Sequence, residues 1–79
     1  MKSINKLRTF FLEDELEIKV YKNKVNVINY KSIGHFDSNK VMIYYEDGHL
    51  VVNGNNLVVS RLVKDEVLVV GEIKNIELR

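Results

Sequence analysis

The sequence predicts an all-β single domain: a small antiparallel meander closing into a barrel or sandwich, preceded by a short N-terminal helix. Three observations lead there. The apolar residues are dominated by twelve valines, eight leucines and seven isoleucines with no alanine at all, and β-branched residues favour strands where alanine favours helices. From Glu15 onward apolar residues recur with a period of two, as in Leu16, Ile18 and Val20 against Glu17 and Lys19, the alternation of a strand with one wet face. The segments between such runs are only two to four polar residues long, which suits antiparallel neighbours, because parallel strands need crossovers of roughly a dozen residues.

The elements follow in order. Ser3 is a candidate cap, and Ile4, Leu7 and Phe11 recur at helical spacing with Lys2, Lys6 and Arg8 on the other faces, so a helix is expected from Ser3 to Leu12 within an amphipathic segment 1–14. Its apolar residues, Phe10 and Phe11 among them, are expected to plug one end of the β core. Its basic face also suits an anionic membrane surface. Residues 15–79 form the β domain. Leu16–Val20 is the first strand, Tyr21 to Lys24 a tight connection, and Val25 and Val27 mark the second strand. A third runs through Tyr30 to Phe36, Asp37 to Lys40 is a turn, and Val41–Tyr45 is a strand. Glu46-Asp47-Gly48 reads as a hairpin turn with glycine at positive φ. His49–Val52, Leu57–Val63, Val67–Val70 and Glu72–Leu78 follow as separate strands, split by Asn53-Gly54-Asn55-Asn56 and Lys64-Asp65-Glu66.

The expected core takes one member of each alternating set: Leu16, Ile18, Val25, Val27, Ile33, Phe36, Val41, Ile43, Leu50, Val52, Leu57, Val59, Leu62, Val67, Val69, Ile73 and Ile76. Several strands are apolar on their other face too. Met42, Val51, Val58, Leu68 and Val70 stand opposite that core set, and 79 residues hardly supply a second layer to cover them. These five, with Phe10 and Phe11, are the expected partner-binding residues. The expected partner is a second copy of the chain or a membrane protein. A parallel solenoid is a weaker rival, because the Leu-Val-Val triplets at Leu50, Leu57 and Leu68 are spaced by 7 and 11 residues rather than one period.

Chemistry-bearing constellations are sparse, and the expectation is a protein that is no enzyme and has no cofactor. No cysteine is present, which excludes a disulfide framework and a thiolate zinc site. Of the two histidines, His35 lies beside Asp37, yet a catalytic zinc usually wants three protein ligands. His49 reads as an exposed turn residue. The four glycines are isolated, so no phosphate-cradling loop is formed. The acid pairs Glu46/Asp47 and Asp65/Glu66 fall at turns, where charge is ordinarily solvated. No apolar run approaches the roughly 20 residues of a membrane-spanning helix, and no secretory leader is apparent, so the cytoplasm is the expected compartment. Twelve basic against eleven acidic side chains leave a net charge of +1, too little to steer the whole chain to nucleic acid. Locally, however, Lys19, Lys22, Lys24, Lys31 and Lys40 interleave with Tyr21, Tyr30 and Phe36, a mixture that base-stacking platforms use. An Sm-like or OB-like nucleic-acid module is therefore the alternative reading.

A longer pattern runs Ile33-x-x-Phe36-Asp37-x-x-x-Val41-x-Ile43, then Gly48-x-Leu50-x-Val52-x-Gly54-x-x-Leu57-x-Val59-x-x-Leu62, then Val67-x-Val69-x-Gly71-x-Ile73-x-x-Ile76. It resembles the YabP/YqfC family of small sporulation proteins, over about residues 16 to 78 and closer to the YqfC side. Tyr44-Tyr45 departs from the family pattern, which more often has a threonine-containing stretch there. The resemblance implies a non-enzymatic part in spore envelope (coat and cortex) morphogenesis, in the mother cell and beside a membrane-embedded partner. It brings no catalytic or cofactor residues.

Overall fold

The computed structural model describes residues 16–79, and the helix expected within 1–14, with Phe10 and Phe11, lies outside the described residues. The described chain is an all-β antiparallel sheet of six strands: β1 (Leu16–Val20), β2 (Lys24–Ile28), β3 (Ser32–Phe36), β4 (Lys40–Tyr45), β5 (Gly48–Val63) and β6 (Glu66–Leu78). Alternation does its expected work in β1, where Leu16, Ile18 and Val20 are buried and Glu17 and Lys19 half-buried.

The spatial order is β1-β2-β6-β5-β4-β3. This departs from a meander at one step, because β2 pairs with β6 rather than with β3. The sheet is not closed into a barrel: β1 and β3 stand at opposite ends of the order, and no pairing among the described residues joins them.

Four of the short strands expected after Gly48 are in fact two long ones. The Asn53–Asn56 stretch is not a turn but part of β5, and Gly71 lies inside β6. Polar, glycine-containing sequence at both places marks a bend, not a break. The β5/β6 ladder slips register between Asn53 and Gly54, again between Asn55 and Val58, and again between Val59 and Arg61, and such bulges bend and twist a strand. The N–H groups freed from the ladder find partners on neighbouring turns. Gly54 and Leu57 donate to the carbonyls of Asn39 and Ser38, at 3.0 and 2.8 Å, and Gly71 donates to the Asn23 carbonyl at 3.0 Å. No buried donor is stranded at these three positions, as a stable bend requires.

The bend divides the sheet into two halves. One is β3, β4 and the first half of β5 with the end of β6; the other is β1, β2 and the start of β6 with the end of β5. Core residues from both halves, such as Ile18 and Val27 from one and Ile43 and Val52 from the other, join in a single buried cluster. Most of the expected core is there. Four members are not: Phe36 and Leu62 are 62% and 55% exposed, and Ile33 and Val59 only pack partly against the cluster. Val20, which alternates with Leu16 and Ile18, and Leu78 also belong to the core, beyond the expected set. Glu46 and Asp47 make the β4/β5 turn, with Gly48 opening β5; Gly48 has no positive φ, contrary to expectation. In the β5/β6 turn the left-handed position is held by Asp65, at φ 72°.

Candidate interaction face

The outward face of the β1/β2/β6 half is built from the alternate residues that the core leaves over. Along β6 these are Glu66, Leu68 and Val70. Each has a neighbour on both sides. Val70 lies between Lys24 of β2 and Val58 of β5, and Leu68 lies between Asn26 and Arg61. Glu66 lies between Ile28 and Val63. The result is an apolar stripe, Val58-Val70-Leu68, that continues to Val63 at the hairpin tip. Val58 is 60% exposed, Leu68 and Val70 are half-buried, and Val63 is exposed.

A polar rim fixes the end of this stripe. Asn26 Nδ2 donates to Glu66 Oε2 at 2.8 Å, and Arg61 sits 3.7 Å from the other Glu66 carboxylate oxygen. Glu66 is thus engaged rather than merely solvated. At the other end Lys24 lies over the Tyr21 ring, 4.9 Å from its centroid, a cation–π contact. An apolar centre with a charged surround is the usual anatomy of a protein-binding surface.

The expected partner-binding residues therefore separate into groups. Val58, Leu68 and Val70 come together. Met42 and Val51 pair with each other in the other half of the sheet, and Val51 is only 2% exposed, so it is not available to a partner. Met42 is half-buried, its sulfur leaning over Gly34. Sequence reasoning missed Val63, Tyr44 and the exposure of Phe36 and Leu62. Their nearness to the turns at Asp37, Glu46 and Lys64 was the available signal, since strand ends beside turns project past a small core.

The remaining candidates lie elsewhere. His35 Nε2 and Asp37 Oδ2 are 2.9 Å apart on the surface, and Asp37 Oδ1 accepts the backbone N–H groups of Asn39 and Lys40 at 2.7 and 2.8 Å. The bond with His35, and then those backbone donors, lower the Asp37 pKa from its ordinary 3.8. This pair caps a turn. No group of three metal-ligating side chains occurs among the described residues. His49 is not a turn residue; it lies in β5 opposite Tyr44, with ring centroids 5.5 Å apart. Of the lysines of the nucleic-acid reading, Lys19 pairs with Glu17 at 3.7 Å and Lys31 with Glu46 at 3.4 Å. Tyr30 packs partly against the core, and its hydroxyl donates to the Val63 carbonyl at 2.8 Å.

Fold and surface together define a small all-β domain whose most developed surface feature is an apolar stripe. The model of the YabP family matches residues 13–79. The chain belongs to the YabP family, and that membership associates it with sporulation. No curated protein and no solved structure matches it.

Proposed function

We propose that the chain is a non-enzymatic binding module in spore envelope (coat and cortex) morphogenesis, working in the mother cell cytoplasm and docking its Val58-Leu68-Val70 stripe onto a membrane-embedded partner. Placement on the YqfC side of the family is part of the same reading and rests on sequence resemblance. The observation that carries the docking role is the stripe itself: three aliphatic side chains on the outside of a small sheet, of which Val58 is 60% exposed and Leu68 and Val70 half-buried, so covering the remainder of each yields only part of the roughly 1.5–3 kcal/mol that full burial from water gives. Covering them offers a binding energy that the isolated domain forgoes.

The test is genetic and physical together. A Leu68→Lys/Val70→Lys variant is expected to keep its melting temperature within a few degrees and to lower the yield of heat-resistant spores at least tenfold in the bacterium that encodes it. Normal spores from a strain lacking the whole chain overturn the sporulation role. Normal spores from the folded double variant overturn the stripe. Micromolar binding of single-stranded RNA with a steep salt slope favours the nucleic-acid alternative instead.

A further inference from the structure

At the far end of the sheet, β3 pairs with β4 on one side and has no strand on the other among the described residues. An edge of this kind presents unpaired backbone donors and acceptors to any strand that can match it. β3 carries one irregularity. Ile33 lies opposite Ile43 and Phe36 opposite Val41, with the register shifting between them. Ile43 and Val41 both belong to the core, so the bulge at Gly34 and His35 brings two residues three apart onto the same, core-facing side, where plain alternation would separate them. Yet Phe36 is 62% exposed and Ile33 only partly buried: the core is open at this edge.

We propose that β3 is the pairing edge for a second copy of this chain, antiparallel and related by a two-fold axis between Gly34 and His35. In that register Ile33 stands opposite Phe36 of the second copy and Phe36 opposite its Ile33. Both pairs fall on the core-facing side, so each phenyl ring covers the half-buried isoleucine of the other chain. The self-complementarity selects a second copy over an unrelated strand, since one two-fold operation covers the exposed Phe36 and the half-buried Ile33 of both chains at once. The proposal rests on β3 alone and is independent of the sporulation reading.

The chain has no cysteine, which makes the register directly readable. Ile33→Cys and Phe36→Cys proteins are prepared separately, mixed and oxidised. The expected result is a covalent dimer in the mixture and little in either sample alone, because like positions lie about three residues, roughly 10 Å, apart along the strands, beyond disulfide reach. Sedimentation equilibrium of the unmodified chain is expected to show a monomer–dimer equilibrium, and Phe36→Lys to weaken it at least tenfold. That second variant keeps the test independent of any packing lost at Ile33. A strict monomer up to about 300 µM, a dimer that Phe36→Lys leaves unchanged, or equal cross-linking in mixed and unmixed samples overturns the proposal.

Discussion

The carbonyl oxygen of Glu72 occupies the space in which a Cβ on Gly54 would stand. The two residues lie on facing strands where the β5/β6 ladder slips register, and Gly54 has no positive φ, so it is close approach rather than backbone conformation that calls for glycine. Gly54→Ala must push two backbones apart at the bend. The expected cost is about 1–3 kcal/mol, or a melting temperature lower by roughly 4 °C or more for a domain of this size. Calorimetry showing no change removes this account of the bend.

Gly71 and Gly34 provide a contrast. Gly71 sits at φ 148°, and a Cβ there would stand 2.7 Å from the Asn56 carbonyl oxygen and 2.9 Å from Leu57 Cα. Backbone strain and a backbone collision act together, so Gly71→Ala is expected to cost roughly 2 kcal/mol or more. At Gly34 the obstacle is the Tyr44 ring, a 40% exposed side chain that gives way more easily than backbone. Gly34→Ala is expected to cost under about 1 kcal/mol. Urea titrations that rank the two the other way contradict the geometry.

The corrected core makes a similar pairwise test. Ile76, opposite Val52, is fully buried, whereas Leu62, opposite Val67, is 55% exposed. Ile76→Ala is expected to lose about 2–5 kcal/mol and Leu62→Ala no more than roughly 0.5 kcal/mol. Comparable losses from both would restore Leu62 to the core.

Asp37 provides a pH signature. Its pKa is lowered, chiefly by the hydrogen bond with His35 and then by the Asn39 and Lys40 backbone donors. A depressed folded-state pKa means that the turn is stabilised above the ordinary value of 3.8 and that this contribution disappears as pH falls through the lower, folded value. Carboxyl carbon NMR is expected to give an Asp37 midpoint below 3.8, and His35→Ala to move it upward. A midpoint unmoved by His35→Ala would exclude the histidine as the main cause.

Much of this fold was legible because alternation is a local property. Leu16, Ile18, Val25, Val27, Val41 and Ile43 declared their face by spacing alone, and the core holds them all. The bend was not legible. Asn53-Gly54-Asn55-Asn56 has the composition of a turn, and pairing with Glu72 to Asn75 of β6, together with the carbonyls of Ser38 and Asn39 some fifteen to nineteen residues earlier, holds it in a continuous strand. The same limit applied to the outward residues. Leu68 and Val51 look alike in sequence, but the stripe beside Val58 and the covered site beside Met42 are decided by which half of the bent sheet each occupies.

The position of β6 between β2 and β5 has a consequence for how the molecule is made. The strand that holds both halves together leaves the ribosome after the five others. At about 5–20 residues per second, the 63 residues from Leu16 to Leu78 take roughly 3–13 s to synthesise. From the completion of each until β6 has followed, β2 and the far half of β5 lack the neighbour that covers them, and their valines stay uncovered. The nascent chain is therefore an aggregation-prone intermediate until its final segment arrives, and a premature stop after Val63 would leave a product without the central strand.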